Sequence, residues 1–172
     1  MASLIEDFIQ TLEKENSEYE ELLGVSSRKT PVIVKGDIEA LAKITDEEQL
    51  VVDRISALEK RRMELLTDIA TVLNKDVHTL KIPRIIELLK KQDAERDALA
   101  KVHEKLRVTA EKMKEINDRN RSLIELSLDM VQFDMNLLQA AKQSPQTGDY
   151  NRSGAYSSGY APGGMSSFDS KS

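Results

Sequence analysis

The sequence predicts an all-α fold: three long antiparallel helices in an elongated, coiled-coil-like bundle, with a short connector helix and a C-terminal tail. Three observations predict it. Apolar residues recur at alternating steps of three and four along most of residues 1–143. The same residues hold only two Gly and two Pro. No segment shows the β-branched alternation and turn residues of a hairpin.

The first helix carries Ile5, Phe8, Leu12, Glu15, Tyr19 and Leu22 at this spacing. Gly24 is expected to end it. Thr30-Pro31, a capping residue before a proline at the first helical position, is expected to restart it. Gly36-Asp37 then reads as a break followed by an N-cap. The second helix, residues 38–74, sets Leu41, Ile44, Glu48, Val51, Ile55, Leu58, Arg62, Leu65, Ile69 and Val72 on one seam, eight of the ten apolar. Such a helix is roughly 55 Å long. An isolated surface helix of a small globule is shorter, so this one must lie along other long helices. Pro83 opens a short helix, residues 83–90, within the connector. The third long helix, residues 93–142, has the seam Leu99, Val102, Leu106, Thr109, Met113 and Ile116.

The chain has 172 residues, which suits one domain with a tail. Its character changes near Ser144-Pro145. Residues 1–143 form the helical body, whereas residues 144–172 carry five of the seven Gly, eight Ser and three of the four Tyr. A segment so poor in aliphatic side chains cannot offset its ordering entropy. It is therefore expected to be a flexible tail with a root-mean-square span of about 30 Å. Its charges cancel, so the net charge of −5 belongs to the body.

Composition excludes several function classes. There is no Cys, hence no disulfide, thiol nucleophile or thiolate metal site. The two His, His78 and His103, have no ligand at metal spacing and are expected at the surface, so neither a metal nor a cofactor is expected. Scarce aromatics and an acidic balance argue against nucleic acid. No aliphatic run exceeds three residues, as in Val32-Ile33-Val34, which is far too short for membrane insertion. The N-terminus carries Glu6 and Asp7 where a secretory signal would be basic and apolar, so the expected location is cytoplasmic. With neither a phosphate loop nor a nucleophile elbow, the chain does not read as an enzyme, and no catalytic residue is assigned.

Two seam positions of the second helix are charged, Glu48 and Arg62. They read either as part of a functional site or as a register device. About 21 Å apart along one helix, they cannot pair with each other. The run Glu59-Lys60-Arg61-Arg62 is balanced by Asp53 and Glu64 and reads as a solvated face.

Residues 123–141 are the informative stretch. Their large apolar side chains fall into two stripes, Leu123, Leu126, Met130, Phe133 and Leu137 on one side and Ile124, Leu128, Val131, Met135 and Leu138 on the other. Ser127 and Asp134 lie on the line between. Together the stripes cover about 220°, against roughly 100° for a one-sided helix. The first continues the upstream seam and is expected to pack on the protein's own bundle. The second has Asn117 and Arg121 one heptad upstream, so it begins late in the helix. Either a partner buries it, or the helix lies centrally with both stripes in the core.

Several pieces of the chain carry a family likeness: Tyr19-Glu20-Glu21-Leu22-Leu23, Leu41 and Ile44 with Glu47-Glu48-Gln49, and Leu58-Glu59-Lys60-Arg61-Arg62. To these are added residues 117–124 and a tail containing Tyr150 and a terminal Phe168-Asp169-Ser170-Lys171. In order and spacing the chain resembles the FlgN family of flagellar type III export chaperones over almost its whole length. The resemblance implies a cytoplasmic chaperone that holds the hook–filament junction proteins FlgK and FlgL by their C-terminal helices, prevents their premature self-association and delivers them to the export gate protein FlhA. It places client binding on Ile124, Leu128, Val131, Met135 and Leu138 and gate docking on Tyr150. The alternative reading is a structural coiled-coil homodimer or adaptor, with the second stripe closing on a second copy.

Overall fold

The computed structural model describes residues 2–143, and the expected tail lies outside the described residues. Those residues form four helices: α1 (Ala2–Lys35), α2 (Ile38–Val72), α3 (Ile82–Leu88) and α4 (Asp93–Gln143). The all-α class holds. The chain divides into two units, Met1–Met135 and Asn136–Ser172.

Both long-helix ends within the first unit close by backbone chemistry visible in the sequence. Gly36 takes a positive φ of 67°, its N–H donates to the Ile33 carbonyl, and the Asp37 N–H reaches back to Val32. These two bonds satisfy carbonyls that the end of a helix leaves orphaned. Asp37 then caps α2, its Oδ1 accepting from the Ala40 N–H at 3.0 Å. The turn between α1 and α2 is thus two residues. Asn74, with φ of 50°, repeats the device after α2: its N–H donates to Thr71 and that of Lys75 to Ala70. Asn tolerates this left-handed conformation better than most side chains. Pro83 sits in the first turn of α3, where its missing N–H costs nothing.

One expectation is overturned. α1 does not stop at Gly24 and restart at Pro31; it runs unbroken from Ala2 to Lys35 with both residues inside it. A glycine costs about 1 kcal/mol and a proline about 3 kcal/mol within a helix. Contacts from other helices offset this. Val25, Ser26 and Ile33 are buried on one side of the weakened stretch. Ser26 Oγ and Lys29 Nζ both reach Glu48 of α2, at 2.8 and 2.6 Å.

The predicted seams point inward. Ile5, Phe8 and Leu12 of α1, Ile44, Val51, Ile55, Leu65 and Ile69 of α2, and Leu99, Val102 and Met113 of α4 are buried. Val72, at the end of the α2 seam, is exposed instead. Cross-helix bonds fix the directions. Glu15 meets Arg62, Glu18 meets Arg54 and Ser26 meets Glu48, so α1 and α2 are antiparallel. Asn16 meets Thr109 and Ser26 meets Asn120, so α4 runs parallel to α1.

The apolar core is concentrated at one end. It joins Ile5, Phe8 and Leu12 to Leu65 and Ile69, to Leu80, Ile85 and Leu89 of the connector region, and to Leu99 and Val102. Further along α4 the contacts with α1 turn polar: Thr109 Oγ1 donates to Asn16 Oδ1 at 3.0 Å, Asn120 Nδ2 donates to the Ser26 carbonyl at 2.9 Å, and Asn120 Oδ1 accepts from Thr30 Oγ1 at 2.6 Å. Thr109 and Asn120 are buried, and each amide atom of Asn120 has a partner. A buried polar pair of this kind fixes register, because sliding by one residue would leave both groups unsatisfied.

The two glycines of α1 and its turn should respond oppositely to a methyl group. At Gly24 an added Cβ meets nothing within 4 Å. Gly24→Ala should therefore raise unfolding stability by about 1 kcal/mol, whereas Gly36→Ala should lower it by about 1 kcal/mol through its left-handed backbone. Urea titrations of both variants measure this; a loss on Gly24→Ala would restore the broken helix.

Candidate functional site

α4 is 51 residues long and its partner α1 is 34. The length difference creates the site. Asn120 stands beside Ser26 and Thr30, and α1 ends at Lys35, only five residues past Thr30. At a rise of 1.5 Å per residue, α1 therefore stops covering α4 at about residue 125. Leu123 and Ile124 are half-buried, and beyond them no apolar side chain of α4 in the first unit is buried.

Leu128, Val131 and Met135 of the second stripe are 51–63% exposed. The first stripe departs from expectation: Leu126, Met130 and Phe133 are 57–66% exposed rather than packed on the protein's own helices. Its residues do continue the direction of the upstream seam, but α1 has ended and α2 has yet to begin at Ile38. Two neighbouring apolar rows thus stand open on one helix. Ser127 lies between them and bonds back to the Leu123 carbonyl at 2.8 Å, so its hydroxyl is already engaged. In the second unit, Leu137 and Leu138 are likewise exposed. Tyr150 lies outside the described residues.

A second group of functional side chains lies deeper. Glu15 of α1 is buried, with Arg62 of α2 at 3.4 Å. Tyr19, one turn along α1, donates its hydroxyl to Glu59 of α2 at 3.0 Å. Burial pushes the Glu15 carboxyl above its ordinary range; Arg62 opposes that shift and Glu59 adds to it. Burial likewise pushes the Tyr19 hydroxyl up to about 12, helped by its bond to Glu59. Glu59 and Arg62 thus turn inward, which corrects the reading of residues 59–62 as a wholly solvated face; Lys60 and Arg61 are exposed. Glu48 and Arg62 each pair with α1, Glu48 through Lys29 and Arg62 through Glu15. His78 is exposed as expected, whereas His103 is half-buried.

The described residues therefore define a class: a helical protein that presents two large apolar rows on one helix and locks its helices together by buried polar pairs. Among the described residues no helix is long and apolar enough to cross a membrane. The FlgN protein family matches residues 1–158, and the chain belongs to that family of flagellar export chaperones. No curated protein matches it, and no solved structure does.

The raised pKa of Glu15 makes a signed prediction. The folded chain holds this proton more tightly than the unfolded chain, so stability falls as pH rises from about 4.5 through the folded-state value. In thermal melts at a series of pH values, wild type should lose stability relative to Glu15→Gln across that interval. Parallel curves would show that Glu15 is not desolvated.

Proposed function

We propose that this protein is a cytoplasmic export chaperone that binds the C-terminal helices of the hook–filament junction proteins FlgK and FlgL, keeps them from premature self-association and delivers them to the export gate protein FlhA. The observation that carries this reading is the open pair of apolar rows on α4 past Leu123. Family membership supports the export role.

The client reads Ile124, Leu128, Val131, Met135 and Leu138 as anchors on one helix face, in the manner of an amphipathic helix docking on apolar side chains. Each such side chain taken from water contributes about 1.5–3 kcal/mol before the costs of association. Met130 and Met135 let the surface adapt to clients of differing shape, because an unbranched thioether repacks readily. The exposed first row adds Leu126, Met130 and Phe133 to the same grip. A client helix that would otherwise meet its own kind is thereby masked. Neither nucleotide nor metal enters this scheme; release follows from competition at the gate. Tyr150, within residues 144–172, is the docking residue for that gate, and those residues act as a tether that raises local concentration there.

Leu128→Asp with Val131→Asp places two charges on exposed positions and should leave the far-ultraviolet circular dichroism spectrum helical. Co-purification with the C-terminal helices of FlgK should fall at least a hundredfold, as two buried anchors are replaced by charge. Wild-type binding by the folded variant would refute the site. A stable dimer in sedimentation, converted to monomer by the same substitutions, would favour the homodimer instead. Tyr150→Ala should weaken capture of loaded complex by the cytoplasmic domain of FlhA while client binding stays unchanged; equal loss of both contradicts the division of roles.

A further inference from the structure

Leu126, Met130 and Phe133 in one row of α4, and Leu128, Val131 and Met135 in the other, are each more than half exposed. Together the rows span about 220° of the helix circumference, whereas one packed neighbour needs about 100°. Three features say what covers them.

The first is spacing. Leu123, Leu126, Met130 and Phe133 follow steps of three, four and three; Ile124, Leu128, Val131 and Met135 follow four, three and four. Each row is by itself a helical seam, and one packed helix reads one such seam. A broad globular surface would call for apolar area there, but not for this alternation in both rows. The second is what lies between the rows. Carried past Leu123, the upstream seam of α4 reads Ser127, Met130 and Asp134. A lone helix continuing the path of α1 would set its apolar side against a hydroxyl and a carboxylate. Two helices, one on each row, leave Ser127 and Asp134 in a solvated gap. The third is charge. Residues 122–135 hold Glu125, Asp129 and Asp134 and no Lys or Arg. Arg121 engages Glu125 at 3.1 Å, and α1 ends at Lys35, about level with residue 125. Beyond that level Asp129 and Asp134 have no ion pair among the described residues. Their complement is a helix with basic residues beside its apolar seam.

We infer that the uncovered part of α4 is flanked by two amphipathic helices of one partner chain, one on each row, with Lys or Arg bordering their apolar seams. This deepens the proposed client site and rests on its reading of the rows as a docking face. The second row keeps its client helix, and the first row takes a further helix of the same partner. The rows begin one residue apart and occupy the same turns. Their occupants therefore lie side by side at one level, each axis about 8–10 Å from that of α4. A linker of about ten residues within one chain bridges such a pair.

The test titrates the full-length chain calorimetrically with a synthetic amphipathic helix of Leu, Ala and Lys that bears one seam. Wild type should take two equivalents. Met130→Asp with Phe133→Asp should take one, as should Leu128→Asp with Val131→Asp, and the four substitutions together none. All four positions are more than half exposed, so the variants should keep a helical circular dichroism spectrum. Two copies of the peptide joined by a ten-residue Gly-Ser linker should bind as one equivalent and at least tenfold more tightly. The peptide with Glu for Lys should bind about tenfold more weakly. No binding, one equivalent on wild type, two equivalents after either pair of substitutions, no gain on linking, or equal affinity for the Glu peptide would each overturn the inference. So would a stable dimer in sedimentation whose rows are closed on a second copy. FlgK and FlgL take no part in these titrations. Failure to bind them would overturn the choice of client and leave the count of helices standing, whereas a single peptide equivalent would do the reverse.

Discussion

A helix of 51 residues bonded to one of 34 residues at a fixed register must outrun it, and the features described above follow from where that happens. The register is held by Asn120, whose amide is bonded at both ends to α1. Were α4 to slide one turn toward its N-terminus, two buried groups on each helix would lose their partners at a cost of about 1–3 kcal/mol each. Apolar packing alone penalises such a slip less, since one aliphatic residue substitutes tolerably for another along a seam. The polar contacts, individually modest, decide how many turns of α4 are left uncovered.

The same logic explains charges at seam positions. Ion pairs buried between helices seldom add net stability, because desolvation takes back much of the attraction. Glu48 bonded to Ser26 and Lys29, and Glu15 opposite Arg62, are better understood as alignment marks between α1 and α2. Each rejects neighbouring registers in which a carboxylate would face aliphatic carbon. Stability itself comes from the cluster around Phe8, Leu12, Leu65, Ile69, Ile85 and Leu99.

Periodicity exposed most of this in advance. The α2 seam was legible because its steps of three and four persist through residues 41–69, and its start was legible because Gly36-Asp37 has one stereochemical use. The continuity of α1 was not legible. Gly24 and Pro31 are local signals, and what overrides them, Glu48 and Asn120, lies far away in sequence. The two apolar rows could be read as rows, yet their exposure could not: a pattern shows which side of a helix is apolar and says nothing of where its neighbour ends. Leu126, Met130 and Phe133 were misassigned for that reason. Asn120 could have been found, since it falls on the next step of the Leu99 to Ile116 seam, where a polar residue in a mostly apolar series is, like Thr109, a signal in its own right. Arg62 was noticed, but its partner Glu15 was identifiable only once α1 and α2 were laid side by side.

The gradient along α4, from Leu99 and Val102 in a dry apolar cluster to Thr109 and Asn120 in polar contacts, also sets an order of opening. Sub-global unfolding begins where few apolar contacts must be broken. Turns near Asn120 can part from α1 transiently while the Phe8 cluster stays shut. A helical body so graded can loosen one end without surrendering its fold.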